Sequence, residues 1–286
     1  MIREFAASWA LFHDSYLAGW LIGLLLSLPG VLVIARDQIF VGAAISQASL
    51  LGIALGLHAG ALPIAAALGV ADSDAFVSTC AGGFAIVAAL VTARSGRHGG
   101  SHEAITGWVF LVGSSLSVLV LANSPHGTEE LHRLLSSTII GANRGDVVAF
   151  GALAIATVAA LWRWREELVL LAMDREMAAA VGLRIGRWSV ATAVFLGVAV
   201  GLSNRVAGMI YTFGCLVLPA LVARSLCREV RSMFVVAPAV ALATGAVGFV
   251  LANHWDTPPG QTTVALLCAL PLLARPVRSL RALRRG

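Results

Sequence analysis

The chain has 286 residues, 58% of them hydrophobic and 12% charged, and its net charge of +5 rests on arginine alone, because no lysine occurs. A soluble domain carries about 25% charged residues, so half that share leaves too little polar surface to face water. Without lysine there is no Walker A phosphate loop, so the chain is not its own ATPase.

A helix needs about 20 apolar residues to cross the hydrocarbon core, where no backbone hydrogen bond can be left open. Runs of this kind fill the sequence. The first 20 residues lack the basic start and small-residue cleavage site of a signal peptide. The first spans are predicted at 16–35 and 39–58. The stretch 61–70 is too short to cross and is read as re-entrant or interfacial. Spans at 74–93 and 104–122 follow, joined by a glycine-rich loop holding His98 and His102 that is read as solvated. The connection 123–145 is predicted to carry a short helix from Thr128 to Ile140, capped by Thr128 and with Glu129 and Glu130 in its first turn. A span at 146–162 leads to the connection 163–186. The runs 187–204 and 206–223, parted only by Asn204 and Arg205, are either two spans or one broken element. Spans at 233–252 and 260–275 complete the chain.

The fold class is therefore all-α, a polytopic transmembrane helical bundle of eight or nine spans, with residues 1–286 forming a single membrane domain. Nine alternating spans with a cytoplasmic C-terminus put 16 of the 20 arginines inside, as the positive-inside rule expects. Lipid is the implied surroundings, and these loop arginines do not form a nucleic-acid patch. The cysteines Cys80, Cys215, Cys227 and Cys268 form no CxxC pair and are read as packing residues. No dinucleotide fingerprint or catalytic constellation is present, so no cofactor and no enzyme activity are expected.

Two segments carry functional signals. On the arginine-rich side, MDREMAAAVG (173–182) starts at Asp174 as N-cap, has Glu176 in its first turn, and ends at Gly182 as a C-cap glycine. Its small apolar face, Met177, Ala178, Ala180 and Val181, suits a groove on a partner; an ordinary amphipathic loop helix is the other reading. Within the second span, Ser46, Gln47 and Ser49 are polar in an apolar run. They either line a transport path or pack helices together. Met209 and Cys215 are soft candidate ligands on the path, with core packing the better reading for both. His58, Asp72, Asp74, His126, Glu129, His132, His254 and Asp256 are scattered on the outer side, as a solvated surface or a vestibule.

Four blocks in order resemble permeases of the zinc, manganese and iron class of ABC importers. The 173–182 segment resembles that family's coupling helix, D-x-x-x-A-x-x-x-G, at Asp174, Ala178 and Gly182. VAGMIYTFGCLVLPALVAR (206–224) matches the family's pattern at Val206, Gly208, Leu216, Pro219, Ala220, Ala223 and Arg224. Residues 28–56 match at Gly30, Arg36, Gly42, Ala44, Ser46, Ala48, Leu50 and Gly52, and GQTTVALLCALPLL (260–273) also fits. The resemblance implies ATP-driven import of a divalent metal ion (zinc, manganese or iron) or a metal chelate across the bacterial cytoplasmic membrane. It implies a permease homodimer, a cytoplasmic ATP-binding subunit and an external substrate-binding protein. The chain departs from the family at its metal pair, Asp and His one helical turn apart, because Ala43 and Gln47 stand at those positions. The family's metal site is thus not carried over, and the metal ligands are left unassigned. A secondary transporter of a small metabolite, with no partner ATPase, is the alternative.

Overall fold

The computed structural model describes residues 2–60, 74–95, 102–123, 139–173 and 175–283. Among these residues there are ten α-helices and no strand: α1 (Ile2–Ala35), α2 (Ile39–Gly60), α3 (Asp74–Ser95), α4 (His102–Ala122), α5 (Arg144–Arg163), α6 (Arg165–Met173), α7 (Arg175–Ala180), α8 (Ile185–Leu226), α9 (Val230–Trp255) and α10 (Pro259–Leu283). A single 3-10 turn, Ile139–Gly141, precedes α5. Seven of the helices are long and apolar enough to cross a membrane, and Pro259–Leu272 of α10 is a shorter apolar segment.

α8 has 42 residues, which at a rise of about 1.5 Å per residue is roughly 63 Å, twice the hydrocarbon thickness. Gly208 breaks it, with φ 75° and ψ 166°, a conformation open to glycine and strained for other residues. The broken-element reading is the one observed, and the break falls one turn beyond Asn204 and Arg205. With α10 added, counting α8 once gives eight segments and counting it twice gives nine, the two counts of the hydropathy reading. The predicted helix at 128–140 and the stretch 61–70 lie outside the described residues, apart from Ile139 and Ile140 in the 3-10 turn.

The chain forms two compact units. One comprises Met1–Gln38, Ser137–Leu183 and Ile210–Gly286, and the other Ile39–Ser136 and Arg184–Met209. In the first, α1 is the central helix, with 78% of its apolar stretch buried, packed against α5, α9 and residues 210–226 of α8. That half of α8 runs parallel to α1: Tyr211 Oη donates to Gly19 O at 2.9 Å, and Arg224 Nη1 donates to Ile34 O at 3.1 Å. A Cβ on Gly30 would lie 1.9 Å from Leu216 O, so only glycine lets the two backbones meet.

In the second unit α2 is central, 72% buried, and packs on α3 and α4. A Cβ at Gly52 would sit 2.5 Å from Cys80 O, and one at Gly113 would sit 2.9 Å from Ala48 N. Residues 185–209 of α8 run antiparallel to α3, with Gly197 at Ile86, Gly201 at Gly82, and Arg205 paired with Asp74 at 3.2 Å. The outer faces stay apolar: Trp108 and Leu111 of α4, and Val148, Ile155 and Trp162 of α5, are all exposed. In a membrane such faces meet lipid or a partner helix.

Candidate functional site

The polar run of the second span sits on α2, inside the second unit. Ser46, Gln47 and Ser49 are 1%, 7% and 0% exposed. Their burial follows from the close glycine contacts of α2 with α3 and α4. Asn204 of α8, 2% exposed, donates from Nδ2 to Ser46 O at 2.8 Å. Ala43, one helical turn before Gln47 on the same face, is partly exposed and has no donor atom for a metal. Among the described residues no three His, Cys, Asp or Glu side chains group as a metal-binding set.

Met209, partly exposed, also belongs to the second unit, whereas Cys215 belongs to the first. Cys215 is 1% exposed and lies one turn after Tyr211 on the face that meets α1 near Gly23. The five path candidates are thus divided between the two units. The thiol of Cys227, just past the last turn of α8, is raised by burial, which disfavours the metal-binding thiolate.

The connection after α5 holds two helices where the sequence suggested one. α6 was missed because it is short and opens with Arg165, Glu166 and Glu167; those acids in a first turn, ahead of LVLLAM, were the available signal. α7 covers the predicted partner-docking segment. It ends in a Schellman motif: Leu183 N donates to Ala178 O at 3.0 Å and Gly182 N to Ala179 O at 2.9 Å, with Gly182 at φ 89°. Gly182 is the C-cap glycine that its position suggested. Asp174 lies outside the described residues, and Glu176 is exposed.

The apolar face is arranged differently from its sequence reading. Ala178 is fully buried, while Met173, Met177 and Val181 are 69%, 54% and 68% exposed. Met177 and Val181, one turn apart and linked by Val181 N to Met177 O at 3.1 Å, share a side of the end of α7, and Met173 ends α6. Ala178 seats α7 on its own unit, and the methionines and valine form the outward surface.

Two of the scattered groups are held in local pairs. His254 Nδ1 meets Glu4 Oε2 at 2.9 Å, and Asp74 pairs with Arg205. Asp256 caps α9 in the left-handed region at φ 53° and lines an open cleft in the first unit with Tyr16, Asn253 and Thr257. His58 is partly buried at the end of α2. Asp72, His98, His126, Glu129 and His132 lie outside the described residues.

Two features had weak sequence signals. Asp37 takes φ 52° and ends α1 with its own Schellman pair, Gln38 N to Val33 O at 3.0 Å and Asp37 N to Ile34 O at 3.2 Å. Asn204 had appeared only as a separator of two runs, yet it is buried.

Residues 8–277 match the model of the ABC 3 transport family. The chain is 23% identical over 262 residues to the "High-affinity zinc uptake system membrane protein ZnuB" of Haemophilus influenzae, covering 91% of this chain and 95% of that protein. It is 21% identical to another protein of that organism, named "Probable iron transport system membrane protein", over 92% of each. Its fold matches a chain in the structure of PsaBC from Streptococcus pneumoniae in complex with Fab, with a TM-score of 0.78 and 20% identity, covering 96% of this chain and 95% of that one.

Proposed function

The chain belongs to the ABC 3 transport family, and from that membership we propose that it is the membrane-spanning permease subunit of an ATP-driven importer for divalent metal ions or a metal chelate. The family match over nearly the whole chain carries this reading. The zinc and iron names of its relatives support the cargo class. ATP hydrolysis belongs to a separate cytoplasmic ATP-binding subunit, and an external binding protein delivers the cargo. Two permease copies flank the path in the bacterial cytoplasmic membrane, as one transmembrane domain each.

The coupling contact is assigned to α7, from Asp174 through Glu176 and Ala178 to Gly182. What supports it is the exposure of the apolar side chains Met173, Met177 and Val181, which suit a groove on a soluble partner. Closure of the ATPases pushes α7, and rigid-body rocking opens the path to alternate sides. Ser46, Gln47 and Ser49, with Met209 and Cys215 as secondary candidates, line that path.

The test is reconstitution. The permease, its partner ATPase and its binding protein are placed in liposomes with zinc, manganese or iron outside the face that receives the binding protein. ATP-dependent uptake of at least one metal is expected, and it is lost when the ATPase is left out. Uptake that proceeds equally well without the ATPase would replace this reading with a secondary carrier.

A further inference from the structure

Among the described residues, the non-glycine residues of positive φ are both aspartates, Asp37 at 52° and Asp256 at 53°. Each stands where a helix ends, a position most often filled by glycine, which has no Cβ to strain. Asp37 uses its carboxylate on Arg224. Asp256 has the same backbone after α9, fixed by its own N–H and that of Thr257 on the Ala252 carbonyl. Its carboxylate, however, has no cation beside it among the described residues.

Asp256 lines the cleft of the first unit, which holds about 130 Å³, and among the described residues no other charged side chain lines it. Phe12, Tyr16 and Phe249 line it too, with ring centroids 6.3 Å apart for Phe12 and Tyr16 and 5.7 Å apart for Tyr16 and Phe249. Ser15, 5% exposed, and Asn253 add polar atoms. Asn253 Oδ1 accepts one long bond from Tyr16 Oη at 3.4 Å, and an amide oxygen has a second lone pair. The flanking residues place the cleft at a membrane boundary. Trp255, next to Asp256, is 61% exposed, and Trp9, 38% exposed, lies 6.0 Å from Tyr16 by ring centroids. Exposed tryptophans mark the level of lipid headgroups.

The size selects a single headgroup. A cavity of roughly 150 Å³ holds one benzene, and pockets for whole drug-sized ligands start at roughly 300 Å³. Aromatic rings beside an acid attract a cation. One carboxylate with a few neutral oxygens is too small a set for a bare metal ion, and those oxygens suit a cation that carries N–H donors. We propose that this cleft binds a primary ammonium group, the class presented by a phosphatidylethanolamine headgroup or by a free small amine. The ammonium donates to the Asp256 carboxylate and the Asn253 amide oxygen, and its carbon stem lies against Tyr16 and Phe249. A quaternary ammonium keeps the ring contact and loses those bonds, so a choline headgroup binds less well. The site is independent of the importer's cargo.

The experiment uses the purified full-length permease in detergent, as wild type, Asp256→Asn and Asp256→Gly. Asparagine and glycine both suit a left-handed helix end, so neither variant should lower the thermal midpoint of the lipid-free protein. Phosphatidylethanolamine, phosphatidylcholine and phosphatidylglycerol with the same acyl chains are each titrated and counted by native mass spectrometry. Ethanolamine alone is titrated in parallel and read as a rise in the midpoint. Wild type should retain phosphatidylethanolamine about tenfold better than the other two lipids, the effect of one charge-assisted hydrogen bond at a partly exposed site. Both variants should lose that preference. If the lipid binds and ethanolamine does not, the headgroup is the source; if ethanolamine alone raises the wild-type midpoint and neither variant's, a free amine is. Equal retention of the three lipids by wild type with no response to ethanolamine overturns the site. So does an ethanolamine or phosphatidylethanolamine effect that survives in both variants.

Discussion

Arg224 of α8 donates to the carbonyl of Ile34, 190 residues earlier, at 3.1 Å. The turn that ends α1 already gives the Ile34 carbonyl one donor, Asp37 N at 3.2 Å, and this guanidinium adds a second from another helix. The same nitrogen pairs with the carboxylate of Asp37, whose left-handed backbone ends α1. The C-terminal ends of α1 and of residues 210–226 are thereby tied within the first unit.

Arg224→Ala should lower the stability of the permease by about 1 kcal/mol, the value of a charge-assisted bond discounted for its exposure. Asp37→Gly is the informative partner change. It loses the ion pair and relieves the left-handed backbone, so its effect on the thermal midpoint in detergent should be the smaller of the two. Equal losses in both variants would mean that the Asp37 pair, rather than the cap on Ile34, holds the ends.

The docking surface gives a second prediction. Ala178 is buried and Gly182 adopts φ 89°, so Ala178→Leu or Gly182→Val damages the fold of α7 before it reports on any partner. Overpacking at Ala178 should cost about 1–3 kcal/mol. Met177→Glu and Val181→Glu change exposed side chains. Both should insert at normal levels and lose most of the ATPase activity stimulated by the permease, while the midpoint stays within about 0.5 kcal/mol of wild type. Full stimulation by both glutamate variants would move the contact elsewhere.

The nine apolar segments were legible because hydropathy is a property of composition over about 20 residues and needs no tertiary knowledge. Their ends were less so. α1 starts at Ile2 instead of residue 16, because Arg3, Glu4, His13 and Asp14 interrupt the apolar count while remaining compatible with a helix. Gly182 was readable as a terminator because glycine at a helix end has a local backbone reason. The inward turn of Ala178 was not, since a helix of small residues gives little asymmetry to orient it. Ser46 and Ser49 stood out as polar residues in an apolar run. The contact that buries Ser46 comes from Asn204, in a segment 158 residues away, and one sequence does not contain that pairing.

Glycine contacts give a third prediction, with an internal control. A Cβ at Gly30 would overlap Leu216 O, whereas one at Gly107 would meet no atom within 4 Å. Gly30→Ala should separate α1 from α8 and cost about 1–3 kcal/mol, seen as a lower midpoint and lower yield of folded permease. Gly107→Ala removes the poor helix propensity of glycine and should be neutral or stabilising by up to about 1 kcal/mol. Equal behaviour of the two would mean that helix propensity, rather than backbone contact, governs both sites.

The last prediction concerns the missing ligand pair. Gln47 is 7% exposed on α2, and Ala43 precedes it by one turn on the same face. Neither supplies the imidazole, thiolate or carboxylate that zinc prefers. Purified permease without its binding protein should therefore show no submicromolar zinc binding by calorimetry. Gln47→Leu should lower metal uptake several-fold with the midpoint unchanged, because it removes a polar side chain from the proposed path and leaves a side chain of similar size in a packed position. Installing Ala43→Asp together with Gln47→His places a carboxylate and an imidazole at i and i+4 of one helix. That double variant should gain measurable zinc binding and turn over more slowly, since a cargo held more tightly leaves more slowly. Tight zinc binding by wild type that disappears in Gln47→Ala would contradict the weak-site reading. Unchanged uptake in Gln47→Leu would take Gln47 off the path and leave its burial to helix packing alone.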